Sequence, residues 1–132
     1  MIKVLYEDNH LLVVEKPVNI LSQGDNTSDD DMVNLLKKYL KEKYNKPGNV
    51  FVGLVHRLDR PVGGCMVFAK TSKAASRLSE QVRNKSFKKT YRAVIHGKMN
   101  KQEDNLMDYL YKNKKTNMVS VVSKNTKDAK DA

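Results

Sequence analysis

The chain has 132 residues, with 25 Lys plus Arg against 15 Asp plus Glu and a formal net charge of +10 at pH 7. Its 39% hydrophobic and 30% charged residues, with 6 Gly and 3 Pro, describe one folded domain rather than a disordered chain. The single cysteine, Cys65, excludes a disulfide scaffold and a zinc-thiolate cluster, and no apolar run reaches the roughly 18 residues of a membrane span. Two acids in MIKVLYEDNH stand where a secretory signal carries its apolar core, so a cytoplasmic address is expected.

Residues 2–6 (IKVLY) and 11–15 (LLVVE) read as two strands of a hairpin around Glu7-Asp8-Asn9-His10, ended by Lys16-Pro17. Val18 to Thr27 is turn-rich. Ser28-Asp29-Asp30-Asp31 then predicts a helix start, with acids where the positive end of the helix dipole favours them. Met32, Leu35, Leu36, Tyr39 and Leu40 form the apolar stripe of that helix, and Lys37, Lys38, Lys41 and Lys43 occupy its other face and last turns. Lys46-Pro47-Gly48-Asn49 closes it. NVFVGLVH (49–56) predicts a buried strand, RLDRPVGG a loop, and CMVFAK a second buried strand in which Cys65 is a small buried side chain. Thr71 or Ser72 caps a helix running to about Asn84, with Ala75, Leu78 and Val82 inside and Lys73, Arg77 and Arg83 outside. YRAVIHG predicts a strand with Tyr91, Ala93 and Ile95 on one face. LMDYLY and NMVSVVS read as further strands, and the terminal KNTKDAKDA has no apolar anchor.

The charge is localised. Residues 1–55 hold seven basic and eight acidic residues, residues 56–100 eleven and two, and residues 101–132 seven and five. The middle third, at +9, attracts polyanions over a Debye length of about 8 Å; the alternatives are a solvated basic face or contact with a protein partner. No segment joins such a face to a broad apolar one, so membrane binding is not expected. None of His10, His56, His96 and Cys65 has metal-ligand spacing, Gly63-Gly64 lacks the lysine of a phosphate loop, and no serine lies in a GxSxG elbow. No metal and no nucleotide cofactor is therefore expected.

HRLDRPVGG (56–64) stands apart. Asp59 is the sole acid between Glu42 and Glu80 and lies between Arg57 and Arg60 directly after an apolar run. Guanidinium charge there favours an ionised carboxylate, suited to a nucleophile or base; an Asp–Arg pair bracing the loop is the structural alternative.

The segment resembles the HRLD signature of RluA-type RNA pseudouridine synthases. FAKTSKAASRLSEQ is similar to the helix that follows in that family, KKTYRAVIHG to its lysine-tyrosine strand, and LYEDNHLLVVEKP to its opening hairpin with Lys-Pro. The resemblance implies an α+β fold, a mixed, mostly antiparallel sheet with flanking helices and an RNA cleft across its face. It implies Asp59 as catalytic residue and Tyr91 as the contact to the target base; beside Asp59, Arg57 is a candidate substrate contact that would touch the RNA backbone and orient the carboxylate. Arg60, Lys73, Arg77, Lys88 and Lys89 are candidate contacts to RNA. The implied reaction is isomerisation of specific uridines to pseudouridine in structured rRNA or tRNA, without a cofactor. This chain has Val62-Gly63 where family members usually show Thr-Ser, which predicts a more mobile loop backbone. The family continues into a late Gly-Arg-x-His-Gln-Ile-Arg block, so residues 1–132 are expected to be a partial catalytic domain without an S4 module. A non-catalytic RNA-binding fragment is the alternative.

Overall fold

The opening hairpin forms as its alternation dictates. In the computed structural model, which describes residues 2–25 and 29–132, β1 (Lys3–Glu7) and β2 (Leu11–Lys16) pair antiparallel. Asp8 makes the turn, its Oδ1 accepting from the backbone N–H of His10 and Leu11 at 2.7 and 2.6 Å. Along β2, Leu12, Val14 and Lys16 are buried on one face.

Helix α1 (Met32–Lys43) starts at Asp31, whose side chain accepts from the N–H of Asn34 at 3.1 Å. Ser28, part of the predicted start, and Thr27 lie outside the described residues. Met32, Leu36 and Leu40, one helical row, close over Leu12, Val14, Met66 and Phe68 to make the core. Strands β3 (Gly53–Leu54) and β4 (Gly64–Ala69) complete a four-stranded sheet of order β1-β2-β4-β3, every pair antiparallel. Helix α2 (Ser72–Arg83), capped by Thr71, packs on the opposite face, where a Cβ on Gly53 would meet that of Ala75 at 2.9 Å.

The strand predicted over 49–56 is only two residues long, and Phe51 is exposed. Side chains take over its ladder: His56 Nε2 accepts from the N–H of Val67 at 3.1 Å, and Ser22 Oγ bonds both the N–H and the carbonyl of Leu58. Cys65 is exposed rather than buried, because it alternates with Met66 and Phe68 onto the side of β4 away from α1.

By its contacts the chain divides into residues 1–90 and 91–132. Within the second unit, β5 (Tyr109–Lys112), β6 (Val119–Val122) and β7 (Lys130–Asp131) form an antiparallel sheet of order β6-β5-β7. The predicted strand over 91–97 does not form. Val94 and Ile95 are exposed, and without a neighbouring ladder an extended segment cannot satisfy its backbone. Strand β7 arises in the tail that lacks an apolar anchor, since backbone bonding suffices: Asp108 and Ala132 exchange two backbone hydrogen bonds of 3.0 and 2.9 Å. Among the described residues the architecture is α+β with antiparallel sheets and two helices. No helix among the described residues is long and apolar enough to cross a membrane.

Candidate active site

The loop between β3 and β4 carries HRLD, and its shape is set from beneath. Leu58 is buried in the core, and strand-like alternation leaves Arg57 and Asp59 on the exposed side. Lys16, at the end of β2, is fully buried, and its Nζ donates to the carbonyls of Pro17, Arg60 and Val62 at 3.0, 3.2 and 2.8 Å. The Val62 N–H closes a turn on the Asp59 carbonyl at 3.0 Å, and the Asn19 N–H donates to the Arg60 carbonyl at 2.7 Å. Burial pushes the Lys16 ammonium down from its ordinary value, and the negative charge of Asp59 works against that shift. The expectation of a loosened loop at Gly63 thus meets a backbone tied at several points. A Cβ on Gly63 would stand 3.2 Å from the Lys16 carbonyl, so glycine permits the close approach of loop and β2.

The Asp59 carboxylate makes no hydrogen bond or ion pair among the described residues. Both neighbouring guanidinium groups are engaged elsewhere: Arg57 donates to Gln23 Oε1 at 3.0 Å, and Arg60 pairs with Asp29 at 2.7 Å. The loop is therefore not braced by an Asp59–Arg pair; a buried lysine braces it and leaves the carboxylate free. An exposed, unpaired carboxylate on a fixed backbone is suited to attack an electrophilic carbon or remove a proton.

His56 is the second residue whose part was not visible in the sequence. Because Nε2 accepts from Val67, the ring proton of the neutral imidazole sits on Nδ1, which has no partner. Burial, and then the charge of Lys89, push His56 down and keep it neutral. The ring lies 5.4 Å from that of Phe87. For Lys16 the signal was present: it continues the buried register of Leu12 and Val14. For His56 the HRLD resemblance marked the position, but nothing in the sequence pointed to its bond with Val67.

Lys73 and Arg77 project from α2, and Lys88 and Lys89 follow it; all four are exposed and carry no ion pair among the described residues. Tyr91 belongs to the second unit, where it is 60% exposed and its hydroxyl makes no hydrogen bond among the described residues. No group of three His, Cys, Asp or Glu among the described residues is placed to hold a metal ion.

Comparison with known proteins adds a family. The model of the family described as RNA pseudouridylate synthase matches residues 10–132. The ribosomal large subunit pseudouridine synthase C of Buchnera aphidicola from Acyrthosiphon pisum is 34% identical over 116 residues, covering 85% of this chain and 35% of that protein. The tRNA pseudouridine synthase C of Vibrio cholerae is 30% identical over 132 residues, covering 100% of this chain and 51% of that protein. Among solved structures, human RNA pseudouridylate synthase domain containing 4 superposes with a TM-score of 0.54 at 25% identity, over 64% of this chain and 30% of that one. The chain thus spans 35% and 51% of the length of these two curated relatives.

Proposed function

The chain belongs to the RNA pseudouridylate synthase family, and from that premise we propose that it is the Asp59-bearing part of an enzyme that isomerises uridine to pseudouridine in structured rRNA or tRNA. On this reading residues 1–132 are a partial catalytic domain, acting in the cytoplasm. The observation that carries the reading is the free Asp59 carboxylate in HRLD, on a loop fixed by Lys16.

The reaction breaks the N1–C1′ bond, turns the uracil and joins C5 to the same C1′. The C5 proton goes to solvent and N1 gains one, so the change is redox-neutral and needs no cofactor. Asp59 begins it, as a nucleophile at C1′ or as the base that removes the 2′ proton; both need an ionised carboxylate beside the ribose. Because the freed base must be recaptured, the site has no use for a second carboxylate to activate water. Tyr91 stacks on the uracil, and Arg57, which donates to Gln23 rather than to Asp59, contacts the RNA.

Taking the target base out of its stack costs a few kcal/mol, least in loops and bulges. Phosphate contacts from Arg60, Lys73, Arg77, Lys88 and Lys89 offset that cost, and binding weakens as salt rises. The test is release of tritium from RNA labelled at uridine C5. The protein carrying this sequence is expected to release it, and Asp59→Ala to lower the rate by a factor of about a thousand or more. Unchanged release by Asp59→Ala refutes the catalytic assignment.

A further inference from the structure

The basic surface assigned to RNA so far lies in the middle third, yet a second cationic surface begins at Arg57 and runs the other way. A cleft of about 520 Å³ with a mostly polar surface is lined by Arg57, Lys37, Gln23 and His56 together with Val33 and Leu54. A neighbouring cleft of about 340 Å³ is lined by Lys37, Lys38 and Lys41 together with Gly48, Asn49 and Val50. Lys37 is common to both, so the two form one path from the Asp59 loop along α1. No carboxylate among the described residues lines either cleft.

The lysines are also uncommitted. The ammonium groups of Lys37, Lys38 and Lys41 make no ion pair or hydrogen bond among the described residues, whereas that of Lys43, on the same helix, is held by Glu7 at 2.8 Å. Of the acids near the start of α1, Asp29 pairs with Arg60 and Asp31 bonds Asn34, and among the described residues neither these nor Asp30 pairs with the three lysines. Glu42 is the one acid within α1, and it pairs with none of the three. Three lysines on adjacent helical positions repel one another, a cost that Glu42 offsets only in part and that a bound polyanion removes. The mostly polar cleft at Arg57 and Lys37 and the lysine row beyond it offer donors to successive phosphates.

We propose that Lys37, Lys38 and Lys41 of α1, continuing from Arg57, form a track for the phosphate backbone of the substrate RNA, leading away from the Asp59 loop. This rests on the reading of the chain as part of an RNA-modifying enzyme, but it assigns a surface outside the residues already given to RNA.

The experiment is titration of the protein with a fluorescently labelled RNA stem-loop carrying uridines in its loop, over a range of KCl concentrations. Phosphate contacts are largely independent of sequence, so the true target is not needed. In Lys37→Gln/Lys38→Gln/Lys41→Gln the slope of log K against log salt is expected to fall by about 2 to 3, with affinity roughly a hundredfold or more lower near 0.1 M salt. Gln is nearly as good a helix former as Lys, so the fold is expected to survive. If circular dichroism shows that it has not, Lys37→Gln alone is titrated, with an expected fall in slope of about 1. An unchanged slope overturns the track; so does the case in which an acidic peptide, but not the RNA, loses affinity. Asp59→Ala is titrated in parallel and is expected to keep the slope while losing tritium release. Failure of the track therefore reads as unaltered salt dependence, and failure of the catalytic reading as unaltered turnover.

Discussion

Lys16 donates to three loop carbonyls from a position with no exposure to solvent, so removing its ammonium leaves three acceptors without that donor. Lys16→Met preserves most of the volume and isolates this effect. It is expected to destabilise the protein by about 2 kcal/mol in urea unfolding and to slow tritium release at temperatures where it remains folded. Glu7 gives a pH-dependent counterpart. Its side chain is 7% exposed; burial pushes the carboxyl up, but hydrogen bonds from Lys43, Lys70, Tyr44 and Tyr39 outweigh that and hold it at about 2. A carboxyl lowered in the folded state binds its proton later than the unfolded chain does. The stability it contributes is present above pH 4.5 and is lost as pH falls from there towards 2, by up to about 3 kcal/mol. Glu7→Gln is expected to flatten that slope in acid titrations followed by circular dichroism. Asp59 was legible in the sequence because it is a lone acid in a basic stretch. The supports beneath it were legible only in part: the register of β2 marks Lys16 as buried, but its bonds to Arg60 and Val62, like that of His56 to Val67, join residues far apart in the chain.

Among the elements, those whose own period matches their burial were readable. The hairpin shows alternation, α1 shows the Met32, Leu36, Leu40 row, and α2 shows Thr71 as a cap. Where a ladder was replaced by side chains, or a partner strand was missing, the pattern misled. Residues 49–56 look like a long strand, but His56 and Ser22 satisfy what β3 would have bonded. Residues 91–97 alternate correctly and still find no neighbour. The contact between β3 and α2 turns on Gly53, where a Cβ would also lie 3.2 Å from that of Ala69. Gly53→Ala is expected to push α2 off the sheet and cost about 1–3 kcal/mol in thermal or urea unfolding. Thr71→Ala, removing an N-cap bond of 3.2 Å to Ala74, is expected to cost about 1 kcal/mol.

Across the whole molecule, burial is one-sided. Residues 1–90 contain every buried side chain among the described residues, and the second unit contains none. Its sheet is held mainly by backbone bonds, and Leu106, Met107, Met118 and Val121 stand exposed. A sheet without a core opens readily, so amides of β5 and β6 are expected to exchange with deuterium far faster than those of β2 and β4. Open sheet edges beside apolar side chains also favour self-association, to be read as a rise in light-scattering mass with protein concentration. The +9 of residues 56–100 straddles the boundary between the units, so the charge balance did not reveal where one ends.

Among the described residues Lys16 is the one lysine whose side chain is wholly shielded, which makes it a chemical timer. Acylating reagents should mark the surface lysines within moments and reach Lys16 only when the Asp59 loop lifts. The ratio of those two labelling rates, followed by mass spectrometry, converts a buried hydrogen-bonding group into a gauge of how often the loop is open in an otherwise folded molecule.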